Sequence, residues 1–345
     1  MVLKKVRVEN SIGMVLAHDI TQIVPGIKKG PLFRKGHVVE EKDIPQLLNI
    51  GKEHLYLLEQ SEGLLHEDDA AIRLANAATG KSPDFEITSP KEGRVNIKAA
   101  VDGLLKINVE QLVKLNSLGE IVMATLHSNR SVRKGDIVGG TRIIPLLIKE
   151  ENITVAEKTC AVNVPLIKIL PYMPKHAGII ITGSEIKKGR ITDKFGPVVK
   201  EKLAAFDVDI LISTCIEDNS ERISAAIKTF AAQDVDMVIV TGGMSVDPDD
   251  VTPRAIKATG ARIVSYGVPV LPGAMFMLAY LNDKPVMGLP GCVMYSGVTV
   301  FDLILPRILA GEIIDVSDVA VMGHGGLCLS CVTCSYPNCA LGKGV

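Results

Sequence analysis

From residue 177 onward, apolar residues gather into short uninterrupted runs, separated by stretches in which they recur every three or four positions. The runs at 178–182 (GIIIT), 208–214 (VDILIST), 235–240 (VDMVIV), 261–268 (ARIVSYGV) and 285–289 (PVMGL) read as five strands. Between the first two, Val198, Val199, Leu203 and Phe206 share one side of a helix over 197–206. A second helix, capped by Ser220, carries Ile223, Ala226, Ile227 and Phe230 at helical spacing. Strands without polar alternation, joined through helices, predict parallel strands buried on both faces. The expected class is α/β, with a three-layer α/β/α domain around a mostly parallel sheet.

The first half has a different texture. Residues 1–60 mix short apolar alternations with Gly and Pro, as short strands do. EDDAAIRLANAA (67–78) is a helix with an acidic first turn, stopped at Thr79-Gly80. GRVNIKAAVDGLLKIN (93–108) alternates at period two around Asp102-Gly103, a dipeptide favoured in hairpins. A short helix over 110–115 and strands in IVMATL (121–126) and SVRKGDIVGGTRIIPLLI (131–148) follow. RKGHVV (34–39) and RKGDIV (133–138) predict two similar hairpin turns. The expected segments are a β-rich region 1–66, a mixed and mainly β region 67–167, the α/β domain 168–315 and a Cys-rich metal-binding stretch 316–345.

Composition narrows the function classes. With 345 residues, 47% of them hydrophobic, the chain can bury a sizeable core. A formal net charge of −1 gives no global attraction to nucleic acid or an anionic membrane, so any anion site is local. Trp is absent and aromatics are 4%, too few for base-stacking platforms. The start, MVLKKVRVENSIG, lacks an apolar run after its lysines, and no later run approaches 18 apolar residues. The expectation is a cytoplasmic protein without nucleic-acid or membrane partners.

Ligands of open α/β sheets sit beyond the carboxyl ends of the strands. Those ends carry TGSEIKKGRITDKFG (182–196), CIEDNS (215–220), TGGMSVDPDD (241–250) and PGCVMYSG (290–297), three of which combine carboxylates with Gly or hydroxyl residues. The third is the most informative. Gly242 and Gly243 allow a tight turn, and Thr252-Pro253 reads as an N-cap followed by Pro at the first helical position. Backbone amides left free there suit a phosphate, while Asp247, Asp249 and Asp250 suit a divalent cation or a polarised water. Lys187 and Lys188 lie in the first loop, where they can pair with an anion. Cys160, Cys215 and Cys292 read as small core residues, Cys292 being nearest the site because it follows Gly291.

In this order and spacing, TGSEI, the Glu-Asp of CIEDN, TGGMSVDPDD and GLPG resemble the molybdopterin-binding domain shared by MoeA, MogA, gephyrin and CinA. The resemblance covers roughly residues 168–312, and GLPGCVMYSGVTVFDLILPRILAG is most similar to MoeA. It implies a site in which Thr182, Gly183, Ser184, Thr241, Gly242, Gly243, Met244, Ser245, Pro290 and Gly291 hold the pterin phosphate. Glu185, Asp218 and Asp250 are then the functional carboxylates. The implied reaction is molybdate insertion into adenylylated molybdopterin with Mg²⁺ and release of AMP, by a protein that is usually a homodimer. A molybdoenzyme or another cofactor-assembly protein is the implied partner. MoeA proteins usually add an SAMDGYA-type motif from another domain. Here the Asp102-Gly103 pair is followed by Leu104-Leu105, which favours a non-catalytic molybdopterin carrier as the alternative. DPDDVT and EDN leave a CinA-like nucleotide pyrophosphatase as a further one.

Cys328, Cys331, Cys334 and Cys339 stand at C-x2-C-x2-C-x4-C. Four thiols so close favour a metal: an iron-sulfur cluster first, since the spacing resembles the bacterial ferredoxin run, and Zn²⁺ second. The histidines form no spacing that suggests a shared metal.

Overall fold

The computed structural model describes residues 2–24, 28–59, 63–162, 164–173, 175–248 and 250–344. The chain divides into two compact units, one of residues 1–101, 106–126 and 132–169, the other of 102–105, 127–131 and 170–345.

In the first unit, Val2–Arg7 pairs antiparallel with His54–Glu59, and Ile20–Val24 with Lys28–Phe33. Val8, Leu16, Ile20, Val39, Leu47 and Leu55 form a small core of this N-terminal part. The helix Glu67–Ala78 stands where its periodicity predicts, with Thr79 as C-cap. Its Arg73 donates to Glu157 (2.9 and 2.8 Å) and Glu150 (2.7 Å), tying it to the helix Glu150–Cys160. Four antiparallel strands, in the order Phe85–Ile87, Arg94–Ala99, Ile137–Ile143 and Ile121–Thr125, complete the unit. Gly103–Ile107 joins a different sheet from Arg94–Ala99, so the Asp102-Gly103 turn is not the tip of a hairpin. The repeated Arg-Lys-Gly fragments do make matching turns. His37 N–H donates to Arg34 and Asp136 N–H to Arg133, each at 3.0 Å, with positive φ at Gly36 (84°) and Gly135 (95°).

The second unit is built on six strands: β1 (His176–Thr182), β2 (Asp209–Ile216), β3 (Met237–Thr241), β4 (Arg262–Tyr266), β5 (Met277–Leu281) and β6 (Lys284–Leu289). Their order is β2-β1-β3-β6-β5-β4. The first four pair in parallel, and β5 pairs antiparallel with both β6 and β4, so β4 runs in the same direction as the first four. The strand over 261–268 is therefore an edge joined through β5, a strand the sequence reading omits.

Each central strand feeds two cores, which is why it reads as an unbroken apolar run. Ile179, Ile181, Met237 and Ile239 pack with Val199 and Leu203 of α1 (Phe195–Ala204) and with Phe301 and Ile304 of α2 (Val300–Leu309). Ile180, Val238 and Val240 pack instead with Ile223, Ile227 and Phe230 of α3 (Ser220–Ala231) and with Ala255 and Ile256 of α4 (Thr252–Ala258). That is the three-layer α/β/α arrangement. Two caps differ from expectation. Asn219, not Ser220, caps α3 through a bond from Arg222 N–H, and Thr252 is the first residue of α4 rather than its cap.

Candidate functional site: a cleft at the carboxyl edge of the sheet

Strand register creates the site. Thr182 pairs with Ile216, Ile181 with Thr241 and Thr241 with Leu289, so four parallel strands end at one level. The loops that follow must emerge side by side, although more than a hundred residues separate the first from the last. They enclose an open cleft of about 1010 Å³. Of the expected residues, Thr182, Gly183, Glu185, Asp218, Gly242, Gly243, Met244, Ser245, Asp250 and Gly291 line it.

The glycine loop is shaped by close backbone approach. Gly242 has φ +86°, and a Cβ there would stand 2.9 Å from Thr182 Oγ1 and 3.0 Å from Thr182 O. Gly243 has φ +58°, and its Cβ would meet Thr252 Oγ1 at 2.8 Å. Two hydroxyls hold the turn from below: Thr182 donates to Thr241 O (2.9 Å) and Thr252 to Gly242 O (2.8 Å). The Tyr266 hydroxyl donates to Met244 O at 3.2 Å. Among the described residues, the N–H groups of Gly243 and Met244 have no protein acceptor, which leaves them for a ligand.

Met244 offers the cleft backbone only. Its side chain is buried against Gly288, where a Cβ would stand 2.6 Å from the sulfur. Ser184, Thr241 and Pro290 stand behind the lining. Thr241 is fully buried, with a hydroxyl that has no partner among the described residues, and Pro290 is buried below Gly291. Ser184 and Asp218 lock the first two loops together: Ser184 N–H donates to Asp218 Oδ2 at 2.7 Å, and Asp218 N–H to Ser184 Oγ at 3.2 Å. Asp218 is thus partly spent on structure.

The sequence reading missed Thr192, Asp193, Lys194 and Met294, which also line the cleft. Asp193 accepts from Phe195 N–H (2.8 Å) and Gly196 N–H (3.0 Å), the position of an acidic residue opening a helix, and that pattern was visible in TDKFG. Lys194 is the only Lys or Arg among the described lining residues. Lys187 and Lys188 are exposed and outside the lining. Cys292 is also outside it; burial pushes its thiol up, as it does those of Cys215 and Cys160, the last to about 12. Cys160 is fully buried, while Cys215 and Cys292 are half-buried.

Carboxylates therefore outnumber cations in the cleft: Glu185, Asp193, Asp218, Asp247 and Asp250 against Lys194. Asp249 lies outside the described residues. Oxygen donors are the right chemistry for Mg²⁺. Their placement does not fit, because among the described residues no three His, Cys, Asp or Glu side chains are grouped to hold a metal ion. A preformed Mg²⁺ site is absent from this set.

The family comparison falls on this same unit. Residues 178–310 match the family described as probable molybdopterin binding domain. That match lies wholly within the second unit. The matched stretch contains every cleft residue named above, and residues 5–59 match a second family, described as a domain of unknown function. A protein of Methanocaldococcus jannaschii named for molybdopterin biosynthesis is 30% identical over 213 residues, covering 54% of this chain and 49% of the relative. A CinA-like protein of a Mycobacterium species is 35% identical over 80 residues, or 23% of this chain and 19% of the relative. The chain thus spans about half the length of the first and a fifth of the second. Among solved structures, MoaB of Thermus thermophilus is similar at TM-score 0.34 and 17% identity, over 40% of this chain and 98% of that one. MoaB of Pyrococcus furiosus, titled a tungsten cofactor synthesizing protein, is similar at TM-score 0.32 and 18% identity, over 39% and 92%. Among the described residues no helix is long and apolar enough to cross a membrane.

Proposed function

We propose that the second unit binds molybdopterin during assembly or maturation of the molybdenum cofactor, with the terminal phosphate on the Gly242-Gly243 loop. The observation that carries this reading is the convergence of four strand-end loops on one cleft, floored by backbone that only glycine can supply. Free N–H groups at Gly243 and Met244, with Lys194 in the same cleft, are the anion-receiving groups. Thr182, Ser184, Thr241 and Pro290 support that surface.

The finer question is whether the domain inserts molybdate, releasing AMP from adenylylated molybdopterin, or only holds and delivers the pterin. In the insertion reading, Glu185, Asp218 and Asp250 position Mg²⁺ and molybdate. Asp218 is already bound to Ser184 N–H, and the Asp102-Gly103 pair is followed by Leu104-Leu105, which favours the carrier reading. The experiment is a titration of the protein with molybdopterin and with its adenylylated form, with and without Mg²⁺ and molybdate. Binding without AMP release establishes a carrier, binding with release an insertase, and absence of binding refutes both. Hydrolysis of ADP-ribose by the same preparation would instead support the nucleotide pyrophosphatase reading.

A further inference from the structure

A second cavity, of about 260 Å³, lies in the same unit and is lined by all four cysteines of the 328–339 stretch, Cys328, Cys331, Cys334 and Cys339. The stretch is anchored at several points. Leu271 N–H donates to Gly326 O and Cys328 N–H to Leu271 O, each at 2.8 Å. Gly342 N–H donates to Gly325 O at 2.9 Å, and Leu341 is buried in the main core. Arg130 reaches Pro337 O at 3.4 Å and Asn338 Oδ1 at 2.8 Å. Cys334 lies over Gly297, where a Cβ would stand 3.6 Å from the cysteine Cβ. All four cysteines are free, so the stretch is not stapled by disulfides.

We infer that these four cysteines ligate a [4Fe–4S] cluster in that cavity. Two observations converge. All four thiols line one space, at a spacing that resembles the bacterial ferredoxin run, and a single tetrahedral Zn²⁺ would instead need sulfurs less than about 4 Å apart. A cubane cluster holds its four thiolates much further apart, each on its own iron. The Ser330 N–H donates to Cys328 Sγ at 3.4 Å from a turn with Ser330 at φ +52°. Such N–H···S bonds stabilise thiolates bound to iron-sulfur centres. Loading a [4Fe–4S]²⁺ core takes two ferrous ions, two ferric ions and four sulfides, forms four Fe–S(Cys) bonds and releases four thiol protons to solvent. The ferrous iron, ferric iron and inorganic sulfide all come from outside the protein.

This inference does not depend on the cleft reading. The test is anaerobic purification of the full chain, reconstitution with ferrous iron, ferric iron and sulfide, and assay of iron, acid-labile sulfide, zinc and visible absorption. The expected result is about four irons and four sulfides per chain, with an absorption bleached by dithionite. Both should be lost in Cys331→Ser/Cys334→Ser, whose two exposed positions leave the fold intact, and retained in Cys215→Ser. One zinc per chain without sulfide, four unreacted thiols after reconstitution, or undiminished iron in the double variant would each overturn it. If the double variant fails to fold, the metal and sulfide content of the parent protein decides.

Discussion

Gly242→Ala is the sharpest perturbation of the proposed site, because its cost follows from geometry already measured. An L-residue at φ +86° costs roughly 1–2 kcal/mol relative to glycine. The new Cβ would also stand 2.9 Å from Thr182 Oγ1 and 3.0 Å from Thr182 O. The backbone oxygen cannot rotate away, and moving the hydroxyl breaks its 2.9 Å bond to Thr241 O, worth about 1 kcal/mol. The sum is roughly 2–3 kcal/mol, which in a unit of this size lowers the melting temperature by roughly 4–12 °C. Gly291→Ala is the matched control. It has no positive φ, and its Cβ would meet only Met294 Cε at 3.8 Å, so stability should change by less than about 0.5 kcal/mol. Both variants add a methyl group at the cleft, and both should bind molybdopterin more weakly in a fluorescence titration. Thermal unfolding of both proteins separates the two effects. A Gly242→Ala protein that melts within about 1 °C of the parent would refute the described loop conformation.

Three further outcomes follow from particular contacts. Thr252→Val removes the hydroxyl that bonds Gly242 O while keeping its shape; loss of that part-buried bond should cost about 1 kcal/mol in denaturant unfolding. Arg307 is buried between Glu312 (2.7 Å) and Asp318 (2.6 Å). Burial opposes its charge, but the two carboxylates outweigh that and hold its pKa above the ordinary value. Arg307→Ala should destabilise the second unit by about 1.5–3 kcal/mol in the same assay, because it removes the charge-assisted bonds to both acids. In the first unit, burial and then the nearby Asp68 push Glu67 up to about 7. Its folded pKa lies above the model-peptide value, so the folded state binds the extra proton and stability falls as pH rises from about 4.5 to 7. Glu67→Gln should remove a slope on the order of 3 kcal/mol across that window, and an unchanged pH profile would refute the assignment.

How much of this was legible in the sequence depends on which physical signal each part carries. The central strands announce themselves because both faces are buried, so Ile179, Ile180 and Ile181 are all apolar although they feed opposite cores. The strand missing from the sequence reading is β5, which it does not separate from the loop before it. Its signal is present: Asn282 and Asp283, with φ 51° and 63°, form a two-residue turn between apolar runs, a hairpin connection. Two residues of that turn reverse β5 against β6, and β4, antiparallel to β5, returns to the direction of the central strands. Most of the cleft was legible for a topological reason, since parallel strands in register bring their carboxyl ends together whatever the loops contain. What a carboxylate does once there was not. Asp193 and Asp218 bond backbone N–H groups, and only coordinates distinguish such an acid from one available to a ligand.

That distinction bears on the chemistry of the cleft. With five carboxylates and one lysine around it, an arriving phosphate meets a repulsive rim and a receptive floor of N–H groups. A divalent cation carried in with the pterin would change the balance, because carboxylates that do not converge on an ion in the free protein can turn toward one that arrives with its phosphate. Glu185 is exposed and Asp250 half-buried, so both have that freedom. Affinity for adenylylated molybdopterin should then rise with Mg²⁺, and the increase should shrink in Asp250→Asn while the unfolding midpoint stays put. If Mg²⁺ leaves the affinity unchanged in the parent protein, the N–H floor and Lys194 receive the phosphate alone. The exposed carboxylates then have no part in binding, and the insertion reading loses the residues it assigns to the metal.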